Sequence, residues 1–442
     1  MPAANGHPVV DRHASGLRSP GLLGYSSVHF GKSLLWAGED ALTLYVLVRF
    51  LELPPALAGI MFLASALWNA LCDGLFGAAL HRWPLLSGSL PFISAIGILT
   101  AGLAFAALPL VATGEATVAI SLLFLFRTGF SLADLPHNAL TRELAGTRGD
   151  LGVARLRAIG SSAAAIVIGL AALPVLLAGD AGQAFAAVLI GCVGYVAILF
   201  MLPLPFLLAR EGGAIGHGER VSPHGVGPRG LWLYCAATAV GLAGLAAAGK
   251  AMLHLDFGAP GIAAAVVLIL TTGRLAAVWL WTPIARRIGN HRALALAYAV
   301  TGLTTPLIPT LAGLEAPATL LCLFLISLPG GGIAMLSWAV LSAIIGKQEA
   351  VRTPGQYAAA FGLFTMSMKI GLGASAAIAG FWLSSNGVSV DIDPATFWSL
   401  ASAAMLACWA AAGVILIIGD MSSGTASGNR VSLPQLREVG EP

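Results

Sequence analysis

SLADLPHNALTREL, Ser131 to Leu144, closes an apolar run that begins near Ala116 and places Asp134 well inside it. A carboxylate near the middle of a bilayer helix costs about 2.5–3.5 kcal/mol on insertion scales. A residue held at that cost is read as functional, and the rest of the chain is read outward from it. Behind the stretch lies a basic loop with Arg142, Arg148, Arg155 and Arg157. Arg127, seven residues before Asp134, shares its helix face at about 10 Å along the axis.

The composition places that run in a membrane. Of 442 residues, 57% are hydrophobic and only 10% are charged, where soluble domains carry about 25% charged residues. A net charge of +3, dispersed over loops, gives no footprint for nucleic acid. Cys72, Cys192, Cys235, Cys322 and Cys408 all fall in apolar segments without metal-ligand or pairing spacing and read as small core residues. No nucleophile–base pair, metal motif or nucleotide loop is present, so neither an enzyme nor an ATP-driven pump is expected.

Twelve apolar stretches near the ~20 residues of a bilayer crossing fall at 26–50, 55–80, 89–112, 116–144, 156–178, 183–208, 230–254, 259–285, 292–312, 316–345, 356–384 and 396–419. Residues 1–25 and 420–442 read as tails, and 209–229 as a polar linker between a first half (26–208) and a second (230–419). The fold class is an all-α integral membrane protein with two six-helix bundles. Loops after even spans hold Arg82, Arg142, Arg148, Arg155, Arg157, Arg210, Arg220, Arg229, Arg286, Arg287, Arg292, Lys347 and Arg352. Loops after odd spans hold Glu115, Asp180, Asp256, Glu315, Asp391 and Asp393. The positive-inside rule then puts both tails and the linker in the cytoplasm, in an inner or plasma membrane.

Polar residues stranded inside spans are the ones expected to carry chemistry. Span one has Lys32, Ser33, Glu39 and Asp40, with Ser33, Trp36 and Asp40 on one face. Span two has Asn69 and Asp73 one turn apart. Span four has Arg127, Ser131 and Asp134, with His137 and Asn138 beyond, and span eleven has Thr365 and Lys369 one turn apart. In span ten, LPGGGIAM (Leu328–Met335) reads either as a gating bend or as close packing of small residues. Lys250 and His254 near a helix end are expected to snorkel, and Arg274 has no assigned role.

SLADLPHNAL, together with WNALCDGLFG (Trp68–Gly77) and the Lys369 segment, resembles the glycoside–pentoside–hexuronide:cation symporters, the melibiose-permease-like branch of the major facilitator superfamily. The resemblance covers spans one to five and eleven. It implies alternating access between two six-helix halves, with Asp134 hydrogen-bonding the solute and Arg157, or Arg155, assisting. It also implies a cation site in which Asp73 pairs with Lys369. The chain departs from the pattern at Ser33 and Asn69, where the family carries acids, and at His137 and Asn138, where it favours aromatics. With one carboxylate in the cation segment instead of two, proton coupling is expected over sodium.

These readings converge on a secondary transporter. Asp134, Asp40, Trp36, Arg157, Ser131, His137 and Asn138 are expected to contact substrate, and Asp73, Asn69, Lys369 and Thr365 to form the coupling site. No cofactor is expected beyond H+ or Na+, and no metal site. The expected partners are a small-molecule substrate and membrane lipid, with the chain acting as a monomer. A non-sugar amphipathic cargo such as a lysolipid, and a non-transporting assembly factor of the same fold, stay open.

Overall fold

The computed structural model describes residues 20–83, 85–177, 182–215, 229–252, 262–346, 354–385 and 394–427, with Leu255 and Phe257. Asp180, Arg220, His254, Asp256, Lys347, Arg352, Asp391 and Asp393 lie outside the described residues. The described chain is helical almost throughout. Its first part runs α1 (Pro20–Tyr45), α2 (Pro55–Arg82), the single turn α3 (Leu85–Gly88), α4 (Leu90–Ala107), α5 (Ala116–Arg148), α6 (Asp150–Leu177), α7 (Gly182–Met201) and α8 (Pro203–Ile215). Its second part runs α9 (Arg229–Met252), α10 (Ile262–Ile288), α11 (Asn290–Thr304), α12 (Ala316–Gly346), α13 (Pro354–Ser385) and α14 (Pro394–Ser427).

Among the described residues, eleven helical stretches are long and apolar enough to cross a membrane, with α7 and α8 forming one of them. The twelfth expected span is α1, which has the length but carries Lys32, Glu39 and Asp40. It starts at Pro20, earlier than expected, because Leu22 and Tyr25 are buried and belong to the packed core. Past Tyr45 it widens into a π-helical segment, Val46–Phe50. At the other boundaries, α8 runs through the start of the expected linker to Ile215, and α14 continues to Ser427.

The chain divides into two compact units. The first is Met1–Ser222 with Ile345–Met366, and the second is Pro223–Ile344 with Ser367–Pro442. Helix α13 therefore gives its first turns, with Thr365, to one unit and the rest, with Lys369, to the other.

In the first unit α4 and α5 meet backbone to backbone. A Cβ on Gly129 would lie 2.7 Å from the Ala101 nitrogen and 2.8 Å from the Gly97 carbonyl oxygen, so only glycine fits. Bilayer helices have little hydrophobic drive to associate, and such small-residue contacts supply dispersion energy at short range. In the second unit α12 is one continuous helix through Pro329. Cβ atoms on Gly331 and Gly332 would meet the Arg274 carbonyl at 2.7 Å and the Trp281 indole at 2.5 Å. Close packing is thus the structural role of that glycine run.

Candidate functional site

Three polar clusters lie buried in the first unit, and α5 takes part in all of them. On α1, Tyr25, His29, Lys32, Trp36 and Glu39 recur at alternating steps of four and three. On α5, Thr141, His137, Asp134, Phe130 and Arg127 recur at the same steps in reverse. The two series pair rung for rung. Tyr25 and Thr141 hydroxyls bond at 2.9 Å, and the His29 and His137 rings stack at 5.5 Å. Lys32 forms an ion pair with Asp134, Trp36 and Phe130 rings lie 5.6 Å apart, and Arg127 forms an ion pair with Glu39. This is an antiparallel seam with heptad register, and its rungs are polar or aromatic instead of aliphatic.

The charge polarity of the seam specifies that register. Lys32 is the cation of its rung on α1, whereas Arg127 is the cation of its rung on α5. Sliding α1 by one heptad would set Lys32 against Arg127, or, in the other direction, Glu39 against Asp134. Either slip buries like charges, which low-dielectric surroundings make prohibitive.

Around Lys32 and Asp134 the cluster extends sideways. Lys32 Nζ also donates to Asn138 Oδ1 at 2.8 Å, and Arg157 Nη2 donates to the same oxygen at 3.0 Å. Asn138 Nδ2 donates to Asp134 Oδ2 at 3.0 Å. The amide orientation is thereby forced, with oxygen towards two cations and nitrogen towards the carboxylate. Arg157 Nη1 donates to Tyr25 Oη and Thr141 Oγ1, both at 3.0 Å. His29 Nε2 reaches the Arg157 carbonyl at 2.8 Å and Ser161 Oγ at 2.9 Å. Arg157 is buried while Arg155 is only half-buried, so Arg157 is the arginine of this cluster.

The second cluster joins α5 to α2. Ser131 Oγ lies 2.6 Å from Asp73 Oδ1 and 2.8 Å from the Asn69 side-chain amide, with all three residues buried. A serine hydroxyl has one proton, so it donates to the Asp73 carboxylate and accepts from Asn69 when the amide turns its Nδ2 to that side. Asn69 therefore reaches the aspartate through Ser131. The backbone of α2 abuts α13 here: a Cβ on Gly362 would come 2.8 Å from the Asp73 carbonyl oxygen.

In the third cluster, the Arg127 guanidinium sits 5.4 Å from the Trp36 ring and 5.7 Å from both Phe62 and Phe126. Its Nη2 holds Glu39, while Nε and Nη1 have no hydrogen-bond partner. The aromatic faces stabilise the cation where hydrogen-bond acceptors do not.

Several expected residues come together and others do not. Asp134, Asn138, Arg157 and His137 share the α1–α5 seam. Trp36 is half-buried on that seam, between Arg127 and Phe130, while Asp40 is exposed and its neighbour Glu39 takes the buried place. Ser131, grouped by sequence with the substrate contacts, gives its hydroxyl to Asp73. Thr365 bonds carbonyls of its own helix, Phe361 at 3.0 Å and Gly362 at 3.2 Å. Lys369 is buried in the second unit. Sequence reasoning assigned no role to Tyr25, His29, Thr141 or Ser161, and left Lys32 without its partner. The matching heptads 25/32/39 and 127/134/141 were the available signal.

Long apolar helices around clusters of buried charge define a multi-pass membrane protein. Residues 231–418 match the family described as MFS/sugar transport protein. Among solved structures, a bacterial homologue of the iron transporter ferroportin, outward-facing, aligns with a TM-score of 0.66 at 14% identity, covering 91% of this chain and 100% of that one. The Escherichia coli fucose:proton symporter aligns with a TM-score of 0.59 at 15% identity, covering 91% and 98%. At such identities the likeness is one of fold. No curated protein matches the sequence. The second half of the chain is thus similar to the MFS/sugar transport family, and the chain as a whole shares the fold of these solved transporters.

Proposed function

We propose that the protein is a proton-coupled symporter of a small hydroxylated solute, a sugar, glycoside or related compound, working by alternating access with both termini in the cytoplasm. The observation that carries the reading is the pair of polar clusters one turn apart on α5. Ser131 holds Asp73 and Asn69, and Asp134 with Asn138 holds Lys32 and Arg157. The Asp134–Asn138 cluster offers both donors and acceptors, as a polyhydroxylated ligand requires. The Ser131–Asp73–Asn69 cluster offers a single buried carboxylate with a hydroxyl and an amide, a set suited to one proton more than to a desolvated sodium ion, which favours several oxygen ligands. The fucose:proton symporter among the fold relatives supports this substrate class. The proposed orientation rests on Arg82, Arg148, Arg286 and Arg287 at one set of helix ends and Glu115 and Glu315 at the other.

The test is uptake into proteoliposomes of labelled L-fucose, melibiose and glucuronate, with and without an inward proton gradient. One of them should accumulate with the proton gradient and not with a sodium gradient. Asp73→Asn should abolish gradient-driven accumulation yet keep exchange of labelled for unlabelled solute, while Asp134→Asn should lose both. Undiminished proton-driven accumulation in Asp73→Asn would remove Asp73 from coupling, and a sodium-driven signal would change the ion.

A further inference from the structure

The two ion pairs of the α1–α5 seam differ in every respect that bears on whether they can open. Each partner of Lys32–Asp134 keeps 7% of its side-chain surface exposed, and each has a further partner in Asn138. If the pair separates, Lys32 retains the Asn138 oxygen and Asp134 retains the Asn138 nitrogen. In contrast, Arg127 and Glu39 are 2% and 1% exposed, and three rings close over the guanidinium. Separation there would strand a buried cation whose Nε and Nη1 already have no acceptor. The cost of opening is therefore high at one end of the seam and low at the other.

The surroundings of α1 follow the same gradient. Beyond Glu39 the helix widens into the π-helical segment, and the Leu51 carbonyl accepts the Gly114 N–H at 2.9 Å, tying this end to the turn before α5. At the opposite end a cavity of about 360 Å³ lies between the first turns of α1 and α8, lined by Gly21, Gly24, Leu202, Pro203, Phe206 and Leu207. Even a Cβ added to Gly21 would find no atom within 4 Å. Among the described residues Gly21 thus borders open space, while from Gly24 onward α1 packs on Leu207 and Ser27 Oγ donates to the Phe200 carbonyl at 2.8 Å.

We infer that α1 is a one-ended hinge: the Glu39–Arg127 pair is the fixed pivot, and the Lys32–Asp134 pair is an exchangeable latch whose release, with that of the Tyr25 and His29 hydrogen bonds to Thr141, Arg157 and Ser161, lets the Tyr25 end swing towards α8. Solute hydroxyls that displace Lys32 from Asp134 would release the latch, which makes the hinge the regulator of the proposed binding cluster. The inference rests on that reading for its purpose but not for its geometry.

The experiment uses full-length protein in lipid nanodiscs, with the five native cysteines replaced and no solute present. Nitroxide pairs at Leu23→Cys with Gly146→Cys, and at Ala41→Cys with Leu125→Cys, report the two ends of the seam by pulsed electron spin resonance. Asp134→Asn removes the counter-charge of Lys32. It should broaden the 23–146 distance distribution and shift it to longer values, with the 41–125 distribution unchanged. Lys32→Met should do the same and serves if Asp134→Asn does not fold. An unchanged 23–146 distribution in both variants, or movement at 41–125, would overturn the hinge. Failure to transport any solute would leave these distances as they are, so the two ideas fail separately.

Discussion

Replacing Arg127 by methionine tests the anchoring pair most directly. Arg127 is 1% exposed and Glu39 1% exposed, so both charges have been fully taken from water and from lipid headgroups. Removing one partner of such a pair leaves the other charge buried and costs about 3–5 kcal/mol. The lost cation–π contacts with Trp36, Phe62 and Phe126 add to this, since a desolvated contact is worth about 2 kcal/mol. Methionine recovers part of that through its sulfur against the same rings, about 0.3–1.5 kcal/mol. The net destabilisation expected for Arg127→Met is therefore about 4–7 kcal/mol. Glu39→Leu alone should cost about 3–5 kcal/mol, because it strands the guanidinium. The double variant Glu39→Leu/Arg127→Met removes both charges and fills the space with apolar atoms, and it should return to within about 1 kcal/mol of the wild type. Equilibrium unfolding of the detergent-solubilised protein, followed by tryptophan fluorescence and by monodispersity, measures all four members of the cycle. If either single variant lies within about 0.5 kcal/mol of the wild type, or the double is as unstable as the singles, the pair does not hold α1 to α5 and the reasoning fails.

Asn138→Leu should lower stability by about 1–3 kcal/mol in the same unfolding assay, because Lys32 and Arg157 both lose an acceptor in a buried site. It should also abolish uptake of any transported solute, where an equally apolar change at exposed Thr117 should not. Gly129→Leu forces a side chain into the Gly97 and Ala101 backbone. Overpacking costs about 1–3 kcal/mol where neighbours can shift, and here the neighbours are main chain. The protein should therefore lose monodispersity on purification, and a stable, monodisperse Gly129→Leu would refute the close α4–α5 approach.

Hydropathy made the spans and the fold class legible, because a bilayer leaves long apolar helices as almost the only solution. Segment ends were less so. The chain from Pro20 to Tyr25 reads as polar tail by composition, yet Leu22 and Tyr25 point inward against the helices that follow, a fact of tertiary packing. The buried polar residues were equally visible one by one, since charge inside a span stands out. Their grouping was not, because it depends on the register of α1 against α5. Choosing Asp40 over Glu39 shows the limit: adjacent residues point about 100° apart on a helix, so the choice needs the face that carries Lys32. Glu39 lies seven residues from Lys32 and shares that face. The Ser131 bond to Asp73 was hidden for a similar reason, since three residues from Asp134 is near enough to share a face but also near enough to an edge to serve a different neighbour.

That edge position bears on how solute and proton could be coupled. Ser131 and Asp134 are separated by about 4.5 Å along α5 and about 60° around it. Ser131 turns to α2 and Asp134 to α1. Coupling then needs no chain of contacts across the protein, because one rigid turn of α5 carries both the hydroxyl that serves Asp73 and the carboxylate that holds Lys32. Just beyond this turn Pro136 removes the N–H that would bond the Leu132 carbonyl. The helix is weakened across Leu132–Pro136, between Ser131 and Asn138, on the side leading to Thr141. A bend there would move Asn138 and Thr141 while leaving Ser131 in place. A motion that instead drew Asp134 with it must also strain the Ser131–Asp73 bond. Under the proposed function the order of events follows: rearrangement confined to Asn138 and Thr141 would admit solute without disturbing the Ser131–Asp73 bond, and only displacement of Asp134 itself would transmit occupancy to Asp73.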